Sequence, residues 1–203
     1  MSESKTLRLP IKAVLTAAAD KMVKFDKRFL QRIRIPLGFL FAIIFIIFSR
    51  PAPVPLAVGG VVAFIGVAIR AWASGHIRKA SKLAVSGPYA YTRNPLYVGS
   101  FILGVGFCIA SGVWWLALLF IGLFLGIYLP VMRVEVDDIR RIFGADFDEY
   151  EQNVPMFIPR LTVWQKTDET FDFGLYLQYR EYRAALGAAV AIAALAAKSF
   201  FLG

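Results

Sequence analysis

The residues able to do chemistry in this chain of 203 residues gather in two stretches. The first, residues 83–99, reads L-A-V-S-G-P-Y-A-Y-T-R-N-P-L-Y-V-G. It carries three phenols (Tyr89, Tyr91, Tyr97), the fixed cation Arg93, and the turn dipeptides Gly87-Pro88 and Asn94-Pro95. Asn caps a helix well and Pro is favoured in its first turn, so Asn94-Pro95 predicts a helix start. A helix N-terminus attracts a carboxylate or phosphate, and Arg93 beside it reinforces that attraction. The second stretch begins at Glu135, just beyond an apolar run; an ionisable residue at a membrane boundary is either solvated or functional. Its neighbours Asp137 and Asp138, and the acidic group Asp146, Asp148, Glu149 and Glu151, read as solvated helix faces. His76 is the only histidine, which excludes a metal site built on several, and it reads as a cap or headgroup contact. The single cysteine, Cys108, lies in an apolar run as a packing residue, and one thiol excludes an intrachain disulfide framework or a multi-thiolate metal site. No Gly-rich dinucleotide loop, phosphate loop or zinc motif is present, and no metal is expected.

The elements that must position these residues are apolar. Hydrophobic residues make up 58% of the chain and charged residues 18%, below the roughly 25% of soluble domains, and the mean hydropathy is +0.61. The surplus lies in blocks, which predicts an integral membrane protein. The net charge of +9 then points to anionic headgroups, not to nucleic acid. Residues 1–34 place Ile11, Val14, Leu15, Ala18 and Met22 on one helical face and cations on the other, predicting a helix in the headgroup plane and no signal peptide. Apolar runs at 35–48, 54–73, 95–111, 113–132 and 184–202 predict about five transmembrane helices. Gly59, Gly60, Ala63 and Gly66 thin the second run for close approach by another helix. Of the 23 Lys and Arg, all but Arg50 and Lys198 fall in residues 1–34, 70–93 and 133–183. The positive-inside rule therefore puts the N-terminus and both chemical stretches on the cytoplasmic side. Lys198, near the far end of the last run, is expected to snorkel outward. The expected fold is all-α and integral to the membrane, with an N-terminal amphipathic interfacial helix over 1–34, a membrane core over 35–160, and a cytoplasmic helical segment with a fifth span over 161–203.

Taken together, G-P-Y-x-Y-x-R-N-P-L-Y-V-G at 87–99, E-x-x-x-I-x-x-x-F-G-x-x-F-x-x-Y at 135–150 and V-P-x-x-I-P at 154–159 resemble the isoprenylcysteine carboxyl methyltransferase family. That family sits within a wider group of membrane methyltransferases that includes phospholipid N-methyltransferases. The resemblance covers roughly residues 65–160. It implies S-adenosylmethionine as methyl donor in a cytoplasm-facing pocket and a lipophilic acceptor: a prenylcysteine-like carboxylate, an isoprenoid or a phospholipid headgroup. It implies cofactor contacts from Ser81, Lys82, Leu83, Ala84, Tyr89, Arg93, Asn94, Pro95, Leu96, Tyr97 and Glu135, with Glu135, Arg133 and Tyr97 as the catalytic candidates. The family often has His where this chain has Asn94, and a second glutamate where it has Val136. An arginine that meets the substrate carboxylate falls at Val131, with Arg133 close but not aligned.

The implied reaction is in-line methyl transfer, which needs alignment of nucleophile, methyl carbon and sulfur. A carboxylate acceptor needs no base; an amine or thiol acceptor does, with Glu135, Tyr97 and His76 as candidates. The competing readings are an NADPH-dependent membrane reductase of sterol type and a non-catalytic lipid-binding or scaffold protein. The partners expected are membrane lipids and the lipophilic acceptor, with no nucleic acid and no obligate protein.

Overall fold

The computed structural model describes residues 32, 33, 35–78 and 82–202. The amphipathic helix expected over 1–34 lies, apart from residues 32 and 33, outside them. Among the described residues the structure is helical and contains no strand. Five apolar helices stand where the five runs predict them: α1 (Ile35–Phe48), α2 (Pro53–Ser74), α3 (Pro95–Ala110), α4 (Trp114–Phe143) and, at the C-terminal end, one over Tyr182–Leu202. Two short helices precede the last, α5 (Ala145–Asn153) and α6 (Phe173–Gln178), so the last is α7. Three of these are long and apolar enough to cross a membrane: α2, α4, and Tyr182–Phe201 of α7. α1 and α3 are shorter. The most apolar window of α7 is only 6% buried, that of α2 17% and that of α4 22%. Phe39, Val61, Phe64, Leu118, Val190 and Phe200 all face outward. An outer surface this apolar, on helices this long, is that of an integral membrane protein.

The tightest helix pair is α2 with α3. A Cβ on Gly59 would stand 2.3 Å from the Ala110 amide nitrogen, one on Gly66 2.4 Å from that of Leu103, and one on Gly106 2.4 Å from that of Ala63. The two backbones touch along this stripe, which only small residues allow. Gly60, expected on the same stripe, faces open space. α3 then turns into α4 at Gly112, whose φ of +70° suits glycine and which packs against the Arg50 carbonyl. The Arg50 amide donates to the Ser111 carbonyl at 2.7 Å, which locks the α1–α2 connection onto the α3–α4 turn.

α4 is one helix of 30 residues that runs on past the apolar stretch at 113–132 into the polar residues beyond it. At about 1.5 Å per residue it runs about 45 Å, some three turns longer than a hydrocarbon core of about 30 Å. Its last turns therefore leave the apolar layer and carry Glu135 with them. Gly144, with φ +54°, ends it and starts α5. α5 folds back so that Phe147, Tyr150 and Val154 bury against Leu83, Val85, Val136, Ile139, Phe143 and Trp164. This small apolar cluster holds the polar end of the molecule together outside the main helices.

Candidate functional site

The connection between α2 and α3 is an irregular strand of chain that other segments clamp in place. Residues 87–90 form one 3-10 turn, begun by Gly87 at φ +55°. A Cβ there would also meet the His76 ring at 2.7 Å, so the glycine is needed twice. The Tyr150 hydroxyl donates to the Tyr89 carbonyl at 2.7 Å, and the Arg93 amide donates to the Pro155 carbonyl at 2.9 Å. The Arg160 amide reaches the Tyr91 carbonyl at 2.9 Å, and that of Trp164 the Ala90 carbonyl at 3.2 Å. The segment after α5 thus straps the connection against the helix ends.

Between this connection and the end of α4 lies a cleft of about 210 Å³. Lys82, Leu83, Ala84, Tyr89, Arg93, Asn94 and Glu135 line it, with Met132, Val136, Ile139 and Phe143 of α4 as its apolar wall. Of the other residues expected to touch a cofactor, Tyr97 stands behind Glu135, its hydroxyl donating to Glu135 Oε1 at 3.1 Å. Pro95 is buried at the start of α3, and neither it nor Leu96 lines the cleft. Ser81 lies outside the described residues. Arg133 is exposed on α4 and does not line the cleft, because two residues along a helix turn its side chain well away from that of Glu135.

Asn94 occupies the N-cap position of α3 but its side chain makes no cap bond. Its amide Nδ2 instead donates to the Met156 carbonyl at 2.9 Å, and the Thr92 hydroxyl, at 3.1 Å, points to the Phe157 carbonyl. The expected cap is therefore a tie to the V-P-x-x-I-P segment. Pro95 has no amide hydrogen, and the Tyr97 and Val98 amides already donate to the Asn94 carbonyl. The first turn thus has at most the Leu96 amide to offer an anion, which weakens the expected helix-end contribution.

Arg93 is largely buried, its side chain 12% exposed. Its Nη1 pairs with Glu151, its guanidinium lies 6.0 Å from the Phe147 ring centre, and its buried Nε has no hydrogen-bond partner. Glu151, expected on a solvated face, bridges Arg93 and Arg140. Burial raises the phenol pKa of Tyr89 and of Tyr150, so both stay neutral donors.

Two further polar groups flank the cleft. His76, expected at a helix end as a cap or headgroup contact, is buried with Nδ1 3.0 Å from the Ser86 hydroxyl. Ser86 donates to Glu169 at 2.8 Å, and Glu169 pairs with Lys82. Burial lowers the His76 pKa; Glu169 partly offsets this and Arg78 adds to it. His76 does not line the cleft, so it is not placed to act as a base there. Below the cleft, Arg70 of α2 makes a two-pronged pair with Glu181, at 2.8 and 2.9 Å, just before α7. Arg70 Nη1 also donates to the Ser100 hydroxyl and, at 3.4 Å, to the Leu96 carbonyl of α3. Neither arrangement has a local signature: the partners are 83 and 111 residues apart.

Residues 68–146, which hold the connection, α3 and the whole of α4, match the family model described as phospholipid methyltransferase. Among similar proteins, the nickel-cobalt-cadmium resistance protein NccN of Alcaligenes xylosoxydans xylosoxydans is 35% identical over 98 residues, 47% of this chain and 46% of that protein. The cobalt-zinc-cadmium resistance protein CzcN of Cupriavidus metallidurans is 32% identical over 118 residues, 56% of this chain and 53% of that protein. The aligned stretch thus spans about half the length of these relatives. No solved structure matches. These matches lend no support to the sterol-type reductase reading. Among the described residues no group of three or more His, Cys, Asp and Glu is placed to hold a metal.

Proposed function

We propose, from the match of residues 68–146 to the phospholipid methyltransferase family model, that this chain is a membrane-embedded S-adenosylmethionine-dependent methyltransferase acting on a lipophilic acceptor. The observation that carries the reading is the convergence of Lys82, Arg93, Asn94 and Glu135 on one cleft at the polar end of apolar helices. A carboxylate at one wall and cations at the other match a donor that is itself a zwitterion with an added sulfonium. When bound, S-adenosylmethionine supplies an electrophilic methyl group. The residues of the chain do the rest. Glu135 faces positive charge, and Tyr97 holds one of its oxygens. Arg93, whose buried Nε lacks a partner, and Lys82 favour a carboxylate. Apolar Met132, Val136 and Ile139 keep water from the cleft wall, which strengthens each of these interactions.

In this reading all five apolar helices span the bilayer, with α1 and α3 eked out by their flanking residues, and the cleft faces the cytoplasm. A carboxylate acceptor would need no base; for an amine or thiol, Glu135 is the group on the cleft wall able to take a proton. The test is titration calorimetry of purified protein in nanodiscs with S-adenosylmethionine, followed by transfer of a labelled methyl group to a lipid extract. Saturable binding that Glu135→Ala abolishes, with label appearing in the lipid fraction, supports the reading. No binding by the unaltered chain, or binding indifferent to Glu135→Ala, overturns it.

A further inference from the structure

A chain of polar side chains stands behind the cleft and ends at one of the residues lining it. Lys82 is on the cleft wall. Its ammonium pairs with Glu169 Oε1, and Glu169 Oε2 accepts from the Ser86 hydroxyl at 2.8 Å. Ser86 in turn lies 3.0 Å from His76 Nδ1. A serine hydroxyl has one hydrogen, and here the carboxylate takes it. The Ser86 oxygen therefore accepts from His76, which puts the ring proton on Nδ1 and gives the chain one direction, from His76 through Ser86 to Glu169. Lys82 donates to the same carboxylate from the other side.

Burial falls off along this chain. Ser86 and His76 are buried. The Glu169 side chain is 21% exposed and that of Lys82 60%, so the carboxylate is the anchored member and the ammonium the one with room to move. The backbone around Glu169 is fixed as well. The Asp172 amide donates to the Gly75 carbonyl at 3.0 Å. The Phe171 ring lies against Gly75, where a Cβ would stand 2.2 Å from it, and 6.4 Å from the His76 ring. Gly75 and His76 directly follow α2, so the segment carrying Glu169 is keyed into the end of that helix. Glu169 lies outside the stretch 68–146 that matches the family, whereas His76, Lys82 and Ser86 lie within it. An exposed lysine that a ligand must order as it binds weakens affinity by about fivefold. Glu169 removes that cost in advance. It takes one N–H of the ammonium and leaves two for a ligand. It also repels an anionic ligand, but the ammonium stands between the two carboxylates and water screens them.

We propose that Glu169 is a positioning residue of the cleft: anchored by Ser86 and His76, it holds the Lys82 ammonium where the carboxylate of the methyl donor is received. The inference rests on the methyltransferase reading for the identity of the ligand. It goes beyond that reading by giving the segment after α5, which the family model does not cover, a part in donor binding.

The test is calorimetry on the full chain in phosphatidylcholine nanodiscs with two probes. One is S-adenosylmethionine; the other is 5′-methylthioadenosine, which keeps the adenosine and the sulfur but has no carboxylate. Glu169→Gln, similar in shape and uncharged, should weaken S-adenosylmethionine binding by about fivefold and leave methylthioadenosine binding unchanged. Ser86→Ala, which removes one anchor of Glu169, should give a smaller loss with the same selectivity. Lys82→Ala should weaken S-adenosylmethionine binding by about tenfold. The double variant Lys82→Ala/Glu169→Gln should lose no more than Lys82→Ala alone, because Glu169 acts through Lys82. Methylthioadenosine binding also reports whether each variant still folds its cleft. Equal losses for both probes, tighter S-adenosylmethionine binding by Glu169→Gln, or additive losses in the double variant overturns the proposal. If the unaltered chain binds both probes and Glu169→Gln changes neither, this inference fails and the functional reading stands. If the unaltered chain binds neither probe, the functional reading fails and takes this inference with it.

Discussion

The Tyr97 hydroxyl donates to Glu135 Oε1 at 3.1 Å, joining the first turn of α3 to the part of α4 that leaves the apolar layer. The two residues are 38 apart in sequence, and the α3–α4 turn returns them to one level. Through this bond the carboxylate on the cleft wall is oriented by a group that is itself outside the cleft.

The relationship predicts an unequal pair of variants. A net hydrogen bond is worth about 1 kcal/mol, and one to a charged partner about 1.5–3 kcal/mol. Tyr97→Phe should therefore weaken S-adenosylmethionine binding by about tenfold, with Glu135 still present. Glu135→Gln removes the charge itself and should weaken it by about a hundredfold. Calorimetry on both variants checks the order. Equal losses would mean that Tyr97 touches the ligand directly.

Glu151 compensates Arg93, whose side chain is only 12% exposed. Removing one partner of a largely buried pair leaves the other charge stranded, at a cost of about 3 kcal/mol. Glu151→Ala should lower the thermal midpoint in detergent clearly. Arg140→Ala should do so much less, since Arg140 is exposed and its ion pairs are screened by solvent. Arg93→Lys should not restore function, because an ammonium lacks the flat fork that meets Glu151 and the Phe147 face at once.

The Arg70–Glu181 pair ties α2 and α3 to the chain entering α7, with the two side chains 22% and 14% exposed. Glu181→Leu alone should destabilise by about 3 kcal/mol, and Arg70→Leu alone by as much. The double variant should fall well short of the sum, because neither charge is then left without its partner. Unfolding of the three variants in a common detergent measures the coupling.

Much of this architecture can be read along the chain. The five apolar runs, the small-residue stripe of Gly59, Ala63 and Gly66, and the two polar blocks all rest on local patterns, and the helices follow them. What local pattern does not encode is choice of partner. Asn94 has every property of a cap, yet the Met156 carbonyl, brought close by the strap, takes its amide. Glu151 sits in an acidic run like any solvated face, and only the return of α5 sets it against Arg93. Lys198 can be read as a lysine able to snorkel outward, but nothing near it in sequence announces that its ammonium meets the Ile46 carbonyl, 152 residues away. At the polar end of α4 the charge pattern changes, but the helix carries on through the change.

The His76–Ser86–Glu169 chain predicts a pH dependence in two separable steps. Burial lowers the His76 pKa below 6.5 in the folded state, so the folded protein favours the neutral ring. Between the two pKa values the unfolded chain binds more protons, and stability rises with pH there. The contribution is complete above pH 6.5 and is lost as the pH falls below it, until the folded-state pKa is reached. The charges facing the ring act in opposite senses: Glu169 supports protonation and Arg78 opposes it. Glu169 itself is held below 4.5, first by its bond from Lys82 and also by that from Ser86. Its contribution is present above pH 4.5 and is lost only as the pH falls through the lower folded-state pKa. Thermal midpoints measured across this range should show a shallow decline beginning near pH 6.5 and a second below pH 4.5. His76→Gln should erase the first and keep the second, whereas Glu169→Gln should erase the second and deepen the first by removing the carboxylate that supports the imidazolium. A first decline that survives His76→Gln would show that another group carries it.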